Sequence, residues 1–167
     1  LDGYTGAWTV ASLVDGFEGW QPGGTFALGG SPYGDYHVGM TYDQVRRTYA
    51  NNAAMANYGP TGGGPVLSGK LLLIQEYSGT SSSPASSQFK LWVNGVSKSF
   101  SYSGYGNNGL GPIRSPSFFN IGSDNYMDGG SAKMYKTKIA QTHIYKGALT
   151  TAQRDSLTAY LKSISGI

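Results

Sequence analysis

Asn94-Gly95 sits between two β-prone runs, Phe89–Val93 and Val96–Tyr102. A type I′ hairpin turn needs positive φ at both of its central residues, and Asn followed by Gly meets that need with little strain. This dipeptide therefore commits the chain to antiparallel β-structure. The rest of the sequence agrees with a period of two. Tyr36–Tyr42 places Tyr36, Val38, Met40 and Tyr42 on one face and His37, Gly39 and Thr41 on the other. Ala7–Val14 is β-rich, and Leu71–Tyr77 is the nearly continuous apolar run expected of a central strand covered on both sides. Lys133–Tyr145 reads as one long strand or two short ones. Turn-rich stretches at 29–35, 59–65, 78–87 and 103–112 separate these runs, and 16–24 reads as a loop carrying Trp20.

One segment departs from this period. Thr150 and Gln153 form a capping box, Leu157, Tyr160, Leu161 and Ile164 recur at helical spacing, and Gly166 is placed to end the helix. The stripe is expected to pack on the sheet. A set of strands with frequent turns and one C-terminal helix predicts a single all-β domain over 1–167, a two-sheet antiparallel β-sandwich of jelly-roll type.

The chain's 167 residues suit one such domain with a core large enough to need no staples. It has no cysteine, which excludes disulfides and thiolate metal sites. Charged residues make up only 13%, with 26 glycines and 13 tyrosines. This composition fits loop-rich extracellular β proteins and is too aromatic for disorder. The net charge of +3 is uneven: residues 1–45 hold five acids and no Lys or Arg, and the remainder holds all 12 basic side chains. Either the fold brings the two parts together and pairs the charges, or Lys133, Lys136, Lys138 and Lys146 form a basic patch for phosphate or acidic glycan. Neither a nucleic-acid partner nor membrane insertion is expected, because basic–aromatic interleaving and a spanning apolar run are both lacking. The chain opens at Leu1 with no signal-peptide pattern, which suggests a processed product or part of something longer.

Residues 119–167 contain FNIGSDNY and then KIAQTHIYKGALTTAQRDSLTAYLKSISGI. This stretch resembles the ending of the concanavalin A-like, laminin-G-type jelly-roll domains. Ile121-Gly122 stands at the strand end, Ile139-Ala140-Gln141 and Ile144-Tyr145 in the following strand, and Ala148-Leu149-Thr150 before the helix. Leu91-Trp92-Val93-Asn94-Gly95 is similar to the family's hairpin. The resemblance covers roughly 70–167 and implies a recognition or adhesion module for carbohydrate or protein, often carried on secreted proteins, phage fibres or capsids. The family has a further strand before GAWTVASLV, to be supplied by LDGY at 1–4, another segment or a neighbouring chain.

Catalytic patterns are sparse. Glycoside cleavage needs two carboxylates about 5–10 Å apart, and the chain has only Glu18 and Glu76 as glutamates. Gln141 and His143 share a strand face and resemble a polysaccharide-lyase element, but its partner motifs are missing. His37 and His143 lie near no nucleophile elbow. Asp124, Asn125 and Asp128 crowd one loop and could hold Ca²⁺ through oxygen ligands, or simply form turns. Sugar binding needs an aromatic face and a few amides or carboxylates, for which Trp20, Tyr33, Tyr36, Tyr105, Asn107, Asn108 and Tyr126 are candidates; Trp8 and Trp92 read as core. The expectation is a non-catalytic, carbohydrate-binding recognition module on a secreted or phage virion protein, located extracellularly or on the virion surface. It needs no cofactor except possible Ca²⁺, and its partners are a glycan or surface protein. The alternative is a capsid-decoration, fibre or filament subunit that binds copies of itself or neighbouring virion subunits. A polysaccharide-degrading enzyme is the third reading.

Overall fold

The computed structural model describes residues 7–15, 22–29, 36–41, 44–49, 54–58, 69–77, 89–99, 101–104, 118–120, 123–124, 133–134 and 138–167, with side chains described at 7–15, 69–76, 90–99 and 138–167. The elements in chain order are β1 (Trp8–Asp15), β2 (Pro22–Gly29), β3 (Tyr36–Thr41), β4 (Gln44–Tyr49), β5 (Ala54–Tyr58), β6 (Lys70–Tyr77), β7 (Phe89–Val93), β8 (Val96–Lys98), β9 (Ser101–Gly104), β10 (Phe118–Asn120), β11 (Ser123–Asp124), β12 (Lys133–Met134), β13 (Lys138–Lys146) and α1 (Thr151–Ser165). They form a two-sheet antiparallel β-sandwich. One sheet has five strands in the order β13-β1-β6-β7-β8, the other six in the order β10-β2-β3-β4-β5-β9, and β11 pairs with β12 as a small ribbon.

The central strands β1, β6 and β7 of the five-stranded sheet are buried on both faces. On one face Val14, Leu71, Leu73, Leu91 and Val93 cluster with Ile139 packed against them. On the other, Ala11, Leu13, Leu72, Ile74 and Trp92 cluster with Leu161, and Leu157 and Ile167 pack alongside. The helix thus covers the second face, and in a sandwich the first face is the one turned to the other sheet. This explains why β6 carries apolar residues at consecutive positions: it is central, hydrogen-bonded to β1 and β7. Trp8 and Trp92 are buried, as expected of strand tryptophans.

The β7–β8 turn has φ of 51° at Asn94 and 82° at Gly95, the two left-handed residues that type I′ requires. Asn94 does more than turn the chain. Its backbone N–H donates to the Leu72 carbonyl at 2.8 Å, and its Oδ1 accepts from the Leu72 N–H at 2.8 Å. The hairpin tip is thereby tied to β6. A Cβ on Gly95 would lie 2.9 Å from the Thr158 Cγ2 of α1, so glycine is required here by close approach as well as by φ.

The helix begins and ends as its sequence dictates. Gln153 N–H donates to Thr150 Oγ1 at 3.2 Å, and Thr150 N–H donates to Gln153 Oε1 at 2.9 Å. Gly166 adopts φ 69° and donates to the Lys162 carbonyl at 3.1 Å. The expected apolar stripe is only half used, however. Leu161 is fully buried, whereas Tyr160 is 53% and Ile164 47% exposed. A single helix lying on a sheet buries a narrower arc than the four residues span, so Leu157 and Leu161 take the contact. Arg154 completes the docking, with its guanidinium carbon 4.1 Å from the centre of the Trp92 ring.

β2, β4, β5, β10 and β11 were not apparent from the alternation, and the expected run Val96–Tyr102 divides into β8 and β9, which lie in different sheets. β2 starts at Pro22, inside the stretch expected to be a loop, because pairing with β3 organises a Gly-rich segment with an irregularity between Gly24 and Phe26. β4 and β5 fill the middle of the second sheet. Lys133–Tyr145 resolves into two strands, β12 and β13.

Candidate functional site

β1 and β13 pair in regular antiparallel register from Trp8↔Lys146 to Leu13↔Gln141, and then the register shifts: Val14 faces Ile139 and Asp15 faces Lys138. Ala140 is the extra residue, a β-bulge of one. Without it, alternation places Ile139 on the helix side and Lys138 in the core. With it, Ile139 joins the Val14 cluster, and Lys138 emerges beside Asp15 on the helix side. On its other flank Asp15 faces Lys70 of β6. An acid between two cross-strand lysines is a favourable arrangement on a sheet face.

The C-terminal end of α1 closes over this corner. Lys70 Nζ donates to the Ser165 carbonyl at 3.1 Å, which places a cation at the negative end of the helix and ties α1 to β6. Between the helix end and the β1–β13 corner lies a cleft of about 300 Å³ with Leu13, Asp15, Lys70, Lys138, Ile164 and Ser165 in its walls. That volume is at the lower end of the range for small-ligand sites, and a mostly apolar lining with a few charged groups is their usual chemistry. Lys138 is exposed, and its side chain forms no hydrogen bond or ion pair with any described residue. Ile164 is one helical turn from the exposed Tyr160, so an apolar ridge runs from the cleft onto the outer helix surface.

The other polar side chains of the sheet serve its own packing. Glu76 is 1% exposed, and its Oε1 lies 3.3 Å from Lys90 Nζ. A carboxylate buried in this way is withdrawn from any substrate. His143 Nε2 and Gln141 Oε1 are 3.0 Å apart on the same face of β13. The Gln–His pair therefore exists, half-buried, as two neighbours that orient each other. Thr9 Oγ1 donates to the Gly147 carbonyl at 2.9 Å, and the hydroxyls of Ser12 and Thr142 are 3.4 Å apart across β1 and β13.

Of the loop residues expected to bind sugar, Trp20, Tyr33, Tyr105, Asn107, Asn108 and Tyr126 lie outside the described residues. Tyr36 opens β3, opposite Leu28 of β2 and Tyr49 of β4. Of the calcium candidates, Asp124 ends β11 opposite Lys133, and Asn125 and Asp128 lie outside the described residues. Among the described residues no cluster of three or more His, Asp or Glu could hold a metal ion. Of the four lysines of the candidate basic patch, Lys138 and Lys146 occupy opposite ends of β13, roughly 26 Å apart at the rise of a strand, and Lys136 lies outside the described residues. No helix among the described residues is long and apolar enough to cross a membrane.

No family model matches the chain, and no curated protein matches it. Solved structures share its fold. Trypanosoma rangeli sialidase in complex with sialic acid superposes with a TM-score of 0.61 at 16% identity, covering 96% of this chain and 24% of the sialidase. The binding domain of botulinum neurotoxin DC in complex with rat synaptotagmin II gives 0.60 at 8% identity, covering 94% and 36%. The CBM40 of Ruminococcus gnavus IT-sialidase bound to α2,3-sialyllactose gives 0.60 at 14% identity, covering 93% of this chain and 82% of that one. The chain thus spans about a quarter of the sialidase. At these identities the likeness is one of fold.

Proposed function

We propose that this chain is a non-catalytic recognition module that binds carbohydrate. The observation that carries the reading is one of scale. The chain matches a glycan-bound module over 93% of its own length and 82% of that module's, so the shared unit is close to a whole binding domain. By contrast, it corresponds to only 24% of a sialidase chain. The burial of Glu76 against Lys90 supports the same reading, since it removes one of the two glutamates from the surface a glycosidase needs.

Within this proposal the aromatics Trp20, Tyr33, Tyr105 and Tyr126 and the β3 residue Tyr36, with Asn107 and Asn108, are candidate sugar contacts. Asp124, Asn125 and Asp128 are the candidate Ca²⁺ ligands. The module belongs on a secreted protein or a phage virion. The resemblance of the C-terminal half to laminin-G-type jelly rolls supports that setting. A glycan array of the purified chain, run with calcium and again with chelator, tests the proposal. A specific signal lost in Tyr105→Ala or Tyr126→Ala is the expected result, and loss on chelation assigns the calcium ligands. A blank array under both conditions overturns carbohydrate recognition and redirects the search to protein partners, including copies of the chain itself.

A further inference from the structure

We infer that the cleft between the β1–β13 corner and the C-terminal end of α1 is a binding subsite for an acidic sugar, a pyranose bearing a carboxylate. This rests on the carbohydrate-binding reading and adds a place and a ligand class to it.

Four features of the corner point the same way. The Ala140 bulge sets Lys138 opposite Asp15, where it lines the cleft together with Ile139, and bulges characteristically re-aim a side chain beside a functional site. The two lysines there have different tasks. Lys70 is engaged with the Ser165 carbonyl and holds the helix end in place. The Lys138 side chain is exposed, bonds to no described residue, and can meet a carboxylate through a charge-assisted hydrogen bond. Asp15, between them in register, is an acceptor for sugar hydroxyls, and the three side chains together carry a formal charge of one positive unit.

The apolar part of the cleft suits the rest of the ligand. Leu13 and Ile164 contribute to its walls, and Ile164 stays 47% exposed although helical spacing would let it pack. A pyranose has a C–H face that needs such a surface. Tyr160, 53% exposed and one turn away, extends it with an aromatic ring for a second sugar unit. A cleft of about 300 Å³ takes one ring and leaves the next on this ridge.

The test is a titration of the isotope-labelled full chain, followed by amide NMR, with sialyllactose and glucuronic acid as acidic probes and lactose as the neutral one. The expected result is that both acidic probes shift the amides of Asp15, Lys138, Ala140, Ile164 and Ser165, and lactose does not. Lys138→Ala should weaken binding about tenfold, and Lys138→Arg should largely retain it. Because Lys138 is exposed, these variants leave the core intact. Binding that moves amides elsewhere and is indifferent to Lys138→Ala overturns the subsite and leaves the carbohydrate-binding proposal standing. Equal shifts with lactose overturn the acidic selectivity. If no sugar moves any amide, the subsite falls, and the carbohydrate-binding reading is decided by the glycan array.

Discussion

Asp15 of β1 faces Lys138 of β13 because Ala140 is bulged out of the register that pairs every earlier residue of the two strands. The same bulge sends Ile139 into the core against Val14. One unpaired alanine thereby decides which of two adjacent side chains is structural and which meets solvent.

This assignment predicts opposite outcomes for neighbouring substitutions. Ile139→Lys places an ammonium against the Val14 cluster and should lower stability by about 2–4 kcal/mol. Lys138→Ile changes an exposed position and should stay within about 0.5 kcal/mol. Urea denaturation of the two variants checks the register, and equal effects would place the bulge elsewhere.

The half-used helix stripe makes a second contrast. Leu161→Ala opens a cavity beneath α1 and should cost about 2–5 kcal/mol, as buried leucine truncations do. Tyr160→Ala should cost less than about 0.5 kcal/mol, since its ring is mostly in solvent. Thermal melts of both variants distinguish this docking from one in which the whole stripe is buried.

Gly95 answers two constraints that can be separated. Gly95→Ala forces a Cβ onto Thr158 Cγ2 and into a φ of +82°, and should cost about 1–3 kcal/mol. Combining it with Thr158→Ala removes the methyl group but leaves the backbone strain. The double variant should recover only part of the loss, and a double-mutant cycle measures how much. Full additivity would mean that the hairpin tip and the helix do not touch.

Glu76 and Lys90 supply a fourth test. Lys90→Ala removes a counter-charge 3.3 Å from a carboxylate that is almost wholly buried, and should cost about 1–3 kcal/mol even though half of the lysine side chain is in solvent. Glu76→Gln in the Lys90→Ala background removes the buried charge and should restore part of the stability. No recovery would show that Glu76 draws its compensation from other groups.

Much of the helix and of the five-stranded sheet was legible in the sequence, each part for a local reason. Asn94-Gly95 dictates its turn through backbone sterics, Thr150 and Gln153 cap α1 through bonds three residues apart, and the apolar run of β6 announces a strand covered twice. β2 was hidden because Pro22, Gly23 and Gly24 carry no alternation; only pairing with β3 makes them a strand. Glu76 could be seen as the single acid of its strand, but not that Lys90 stands across from it in β7.

The cleft is the clearest case of what sequence alone leaves open. Asp15, Lys70 and Lys138 were visible as members of an acidic N-terminal part and a basic remainder, and Lys138 as one of the four lysines of a candidate basic patch. The chain by itself determined strand propensity, turn chemistry and helix caps, since these are interactions among residues a few positions apart. Only the tertiary structure decided that residues 15, 70 and 138 share one corner, that a bulge turns Lys138 outward, and that Ile164 stays exposed beside them. Those outcomes depend on register and on the packing of a helix against a sheet, which sum weak contacts between segments far apart in the chain.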